Sequence, residues 1–224
     1  NPNLLSLSGF GAVSTVGGNV DISSNAKLLS LSGFPVLGTI NGSLVVDTNA
    51  ALTGILAFPL VSTVQQSVLI HDNAALTGLN GFGALTFVGL DTLIYNNNAM
   101  TTLSGFPVLA DVNNHLEIRD NAALGQIAGF AALDSIVGHL SISNNPNLLN
   151  VTGLGALTDV GGYFGIIRNA KLANFNGIDS LKTVCTDLNV QNNLVLDSIL
   201  GLNGSGMTYL GNSFGISNNP VLSA

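Results

Sequence analysis

His115 and His139 stand 24 residues apart, Asp91 lies the same interval before them, and Glu117 follows two residues after the first. Two imidazoles and two carboxylates are a donor set for zinc or another divalent ion, if the chain brings them to one surface. Asp111 and Asp159 are two such intervals apart, with Asp134 between them. Paired carboxylates can hydrolyse a glycosidic bond when they flank it at a suitable separation. Cys185 is the single cysteine, with no histidine nearby and only Lys182 close in sequence, so little would activate its thiol. No glycine-rich segment follows a strand and opens a helix, which removes phosphate-cradling loops. Ligands on adjacent flat strands are seldom preorganised for a metal, and the aspartates imply no cleft. The plain expectation is solvated polar columns, no cofactor, no metal and no enzyme.

The interval carries more information than the residues it separates. Asn25, Asn49, Asn73, Asn97, Asn121, Asn145, Asn169 and Asn193 fall at a strict spacing of 24, Asn219 follows after 26, and Asn1 fits the column at the front. Repetition at this period signals a stacked array. The chain therefore reads as a single domain over 1–224, eight full repeats of 24–26 residues with a partial repeat at each end, the extra residues falling near Gly204-Ser205-Gly206.

With Asn19 as position 1, position 4 is always Ile or Val, and position 10 is Leu except at Met100. Position 15 is Gly except at Ala57, and position 16 is Phe from Phe10 to Phe130, then Leu154, Ile178 and Leu202. A helix needs a sustained period of 3.6 residues, and the Gly at position 15 would break one. Short β segments with tight corners fit instead. No coil can bury its own apolar face, so coils must stabilise one another by stacking. The expected fold is all-β: a right-handed parallel β-solenoid with an inward Asn ladder at position 7 and a Phe stack at position 16. At about 4.8 Å per coil the rod would be roughly 45 Å long. Gly at position 15 is expected to supply a backbone angle forbidden to other residues.

The run Leu116-x-Ile118-x-x-Asn121-x-x-Leu124-x-x-Ile127-x-Gly129-Phe130 resembles a leucine-rich-repeat segment. With the preceding Gly138-His139-Leu140-Ser141-Ile142 pattern, the chain looks most like the receptor L-domain family. That resemblance implies a short right-handed solenoid, secreted or at the cell surface, that binds protein ligands and has no catalytic residues to carry over.

Composition narrows the partners. Only 17 residues are charged, five of them cationic, and the net charge is −7. Five cations cannot cover a phosphate backbone, which argues against nucleic acid. No apolar run is long enough to span a membrane. The opening Asn1-Pro2-Asn3 is no signal peptide, although one removed earlier would fit a secreted location.

Function must then sit on outward positions. On the second straight of each coil, positions 11, 12 and 14 offer Ser6, Ser8, Ser30, Ser32, Thr53, Thr77, Asn80, Thr101, Thr102, Ser104, Asn150 and Thr152, with no charge before Asp197. Small hydroxyls and amides on a grid of about 4.8 by 6.8 Å can order water into an ice-like sheet. This surface resembles ice-binding (antifreeze) β-solenoids, and an ice crystal surface is the expected partner. Thr15, Thr39 and Thr63 at position 21, on the third straight, form a rival ice face. The alternative is a cell-surface adhesion module that binds protein or glycan through the first straight. There Val45, Leu69, Leu93, His71 and Tyr95 make an apolar-aromatic patch. Asn41, Asn150 and Asn203 match the N-glycosylation pattern. Both ends look uncapped, so end-to-end stacking or further segments are expected.

Overall fold

A computed structural model of the chain describes residues 1–202 and 206–222. The coils stack as a β-solenoid with three faces and four parallel sheets, the second face being divided between two of them. The first sheet has nine four-residue strands, from Val20–Ser23 to Phe214–Ser217. The third has nine two-residue strands, from Thr15–Val16 to Tyr209–Leu210. The second straight forms two separate sheets. Four strands run from Ser6–Leu7 to Gly78–Leu79, and three more comprise Thr102–Leu103, Gln126–Ile127 and Asn150–Val151. The one helical turn among the described residues is Leu200–Leu202.

Register shifts by one coil at each step, so like positions pair: Ile70 with Ile94, and Ile94 with Ile118. Strands of the first sheet alternate buried and half-buried residues, because successive side chains leave a strand on opposite faces. Positions 2 and 4 point in, and 3 and 5 point out. The buried residues merge into one apolar cluster along the rod. Phe10, Phe34, Phe58, Phe82, Phe106 and Phe130 stack at 4.7–5.8 Å between ring centres, at interplanar angles of 8–22°. In the coil where this column falls to Ile178, position 13 carries the fully buried Phe175, which restores apolar volume to the same cross-section.

The Asn ladder bonds coil to coil. The backbone N–H of Asn73 donates to Asn97 Oδ1 at 3.3 Å, that of Asn97 to Asn121 Oδ1 at 3.0 Å, and that of Asn121 to Asn145 Oδ1 at 3.1 Å. Each amide nitrogen donates back to the position-4 carbonyl of the previous coil, as Asn97 Nδ2 does to Ile70 O at 2.9 Å. These side chains are fully buried from Asn49 to Asn193. Both ends of the carboxamide replace water for backbone groups that the corner would otherwise strand.

The expected role of glycine at position 15 needs correction. The left-handed backbone angle belongs to position 6, where Ser24, Thr48, Asp72, Asn96, Asp120, Asn144, Arg168, Asn192 and Asn218 all lie at φ 54–59°. From Gly33 to Gly201 the position-15 glycines carry no positive φ; only Gly9 does. They are small because the coils touch there: a Cβ on Gly105 would strike the Leu79 carbonyl, and one on Gly177 would strike the backbone at Thr152. Asn and Asp tolerate the left-handed region, which accounts for six of the nine residues at position 6.

Candidate functional site

The two histidines that open the question of chemistry turn out to be structural. His139 N–H donates to His115 Nδ1 at 2.9 Å, and Tyr163 N–H donates to His139 Nδ1 at 2.8 Å. The rings stack at 4.4 Å. A ring nitrogen that accepts an amide proton is bare, so in the neutral ring the proton sits on Nε2. That leaves neither nitrogen a free lone pair for a metal. Among the described residues no group of three or more His, Cys, Asp or Glu is arranged to hold one. The position-1 column works this way from Asn19 to His139 and again at Asp187, with a break at Tyr163. Asn19 Oδ1 accepts from Ser43 N, Ser43 Oγ from Ser67 N, Ser67 Oγ from Asp91 N, and Asp91 Oδ1 from His115 N, at 2.8–3.3 Å. Asp187 Oδ1 accepts from Ser213 N at 3.1 Å. Position 1 demands an acceptor. Its mixture of Asn, Ser, Asp and His hides a second ladder.

The outward columns at positions 3 and 5 of the first sheet are not tied up in this way. Val45, Leu69 and Leu93 stand in register, half-buried against one another. Beside them the His71 and Tyr95 rings stack at 4.5 Å and 4°. Arg119, next in that column, lays its guanidinium 4.0 Å from the centre of the Tyr95 ring, a cation–π contact. It also binds Glu117 at 3.2 Å and Asp120 at 2.8 Å. Burial pulls the Arg119 guanidinium down in pKa, but the bonds to Asp120 and Glu117 outweigh it and the net direction is up. Burial raises the Tyr95 phenol. The hydrogen bond from His71, at 2.8 Å, and that from Asn96 hold the Asp72 carboxyl below its usual value. Arg119 belongs with the five patch residues that the sequence nominates; its place directly after Tyr95 in the same column is the signal that finds it.

The second face is discontinuous. Ser6, Ser30, Gly54 and Gly78 pair in order at position 12, as do Thr102, Gln126 and Asn150, but Gly78 and Thr102 do not pair. Across this break lies a shallow groove of about 230 Å³, lined by Thr53, Gly54, Ile55, Leu56, Thr77, Gly78, Asn80, Thr102 and Ser104. Ser6, Ser8, Ser30, Ser32, Thr53, Thr77, Asn80, Thr101, Ser104 and Thr152 are exposed, whereas Thr102 and Asn150 are half-buried. Thr53 Oγ1 donates to Leu29 O at 3.1 Å, and Thr77 Oγ1 to Thr53 O at 3.0 Å. Their protons therefore point into the protein. Asn150 Oδ1 is buried without a partner.

On the third face Thr15, Thr39 and Thr63 pair in register on an unbroken sheet. Asp111 accepts from Ser135 Oγ at 3.3 Å. The Thr158 and Thr183 hydroxyls hold Asp159 below the usual carboxylate range, so it is not set up as a general acid. Cys185 is exposed and free. Asn41 is exposed, Asn150 sits in a strand, and Asn203 lies outside the described residues.

No family model, no curated protein and no solved structure matches the chain. The fold therefore stands on its own geometry: a β-solenoid of 24-residue coils with a buried Asn ladder and a Phe stack. No helix among the described residues is long and apolar enough to cross a membrane.

Proposed function

We propose that this chain is a receptor-L-domain-like adhesion or recognition module, secreted or displayed at a cell surface, that binds a macromolecular ligand through the first face. One observation carries the reading. The unbroken nine-stranded sheet bears an outward apolar column, Val45–Leu69–Leu93, against an aromatic–guanidinium column, His71–Tyr95–Arg119. Clustered exposed apolar groups mark interaction surfaces, and Tyr and Arg dominate binding hot spots. The role is binding, not catalysis. The test is a screen of secreted proteins and glycans against the parent and the Leu69→Asp/Leu93→Asp double variant. Hits that disappear with the variant, at unchanged circular dichroism and melting temperature, support the reading. Hits that survive it place the site elsewhere.

A second reading is adsorption to ice. Ten of the twelve second-face residues are exposed, and the Thr15–Thr39–Thr63 column is in register with no side-chain bond to other described residues. Many weak water-mediated contacts acting together would hold the rod to a crystal plane. A single ice crystal grown in the protein should facet. Ser32→Tyr and Thr102→Tyr should abolish faceting if the second face acts, and Thr39→Tyr if the third does. An unshaped crystal ends this reading.

A further inference from the structure

The first-face patch has a rim, and the rim states what it takes. Asp21 and Glu117 close the aliphatic column at its two ends, Asp47 and Asp72 flank the aromatic column, and Asp91 and Asp120 lie at the edges of the strands. Six carboxylates and one guanidinium surround this area, a local charge of −5 within a chain of net −7. In a protein with so few charges, that concentration sits around an outward apolar-aromatic surface. The lone cation, Arg119, is already held by Glu117, Asp120 and the Tyr95 ring.

The rings themselves are closed to sugars. His71 covers one face of Tyr95 and Arg119 covers the other, so no open aromatic platform remains for a pyranose to lie on. What remains at the surface is ring edges, half-buried aliphatic side chains and a fence of carboxylates. Resting on the first-face reading above, we infer that the partner is a basic protein segment in which Lys or Arg alternates with aliphatic side chains. The aliphatic groups seat on Val45, Leu69 and Leu93, and the cations meet Asp21, Asp47 and Asp91. Charge complementarity of this kind raises the association rate and excludes acidic competitors.

The test uses the whole chain and a short synthetic peptide of alternating lysine and leucine, with a glutamate–leucine peptide and a set of neutral oligosaccharides beside it. The lysine–leucine peptide should bind, and more weakly as salt rises. Leu69→Gln/Leu93→Gln should weaken it about tenfold, a loss of about 1.4 kcal/mol, and Asp21→Lys/Asp47→Lys at least as much. The charge reversal Asp111→Lys/Asp159→Lys on the third face should change it less than about twofold. Equal weakening by the third-face reversal, or equal binding of the glutamate peptide, overturns the inference. Oligosaccharide binding lost with Leu69→Gln/Leu93→Gln also overturns it but leaves the first-face reading standing. Binding indifferent to every first-face variant removes both.

Discussion

The first and second sheets are built from the same coils, yet one runs unbroken through nine strands and the other parts between Gly78–Leu79 and Thr102–Leu103. The difference lies at their borders. Strands of the first sheet are entered past the position-1 acceptor column and left past the Asn ladder, so side-chain bonds tie most neighbouring coils on both sides of it. The second sheet has a hydroxyl ladder on one side only, and it ends with Thr77; the Thr101 hydroxyl does not continue it. At position 12, Gly54 and Gly78 bring no side chain to hold the strands together. Strand length alone does not part it, because the third sheet is also built of two-residue strands and runs unbroken through nine. The first sheet thus combines four-residue strands with bordering ladders, and the second has neither along its whole length.

Substitutions at four positions break or sharpen that contrast. The largest effect is expected from Phe82→Ala, which removes a fully buried ring from the stack beside the gap in the second sheet. It should cost about 4 kcal/mol, measured by denaturant unfolding, and widen the gap, with faster amide exchange at 78–80 and 102–104. Asn97→Ala strands the Asn73 N–H and the Ile70 carbonyl. The cost should be about 3 kcal/mol, and exchange should rise in the first sheet while the second sheet changes little. His115→Leu takes the acceptor from His139 N–H at a partly exposed site, so the loss should be about 1 kcal/mol. His115→Asn should restore it, which a metal or catalytic histidine would not allow. Thr92 is fully buried and its hydroxyl has no partner. Thr92→Val should therefore raise stability by somewhat under about 1 kcal/mol, visible as a higher melting temperature.

The inward half of the molecule was legible from its amino acids because burial permits little variety. Ile or Val at position 4, Leu at position 10 and Asn at position 7 repeat almost without exception, and each lands where its spacing implied. The corners were harder. Position 6 holds Ser, Thr, Asp, Asn and Arg, a mixture that conceals one shared backbone angle, while the uniform glycines of position 15 suggested an angle and serve close contact instead. The position-1 column reads as solvated polar residues for a similar reason: its Asn, Ser, Asp and His have little in common but an atom that accepts a hydrogen bond. The gap in the second sheet leaves no mark on position 13, which is apolar on both sides of it. The site itself was half visible. The aliphatic and aromatic members of the patch stand out in their columns, but its carboxylate fence emerges only when six positions from five coils are seen together.

The Asn ladder also has a direction. From Asn49 on, each carboxamide of the ladder takes the proton of the coil before it and returns one to that coil's carbonyl. A newly made coil thus carries its own fastener to the part of the rod that already exists. The tip of a partly made rod is left with donors, the asparagine N–H and strand N–H groups such as that of Val68, that only the next coil's carboxamide and carbonyls can take.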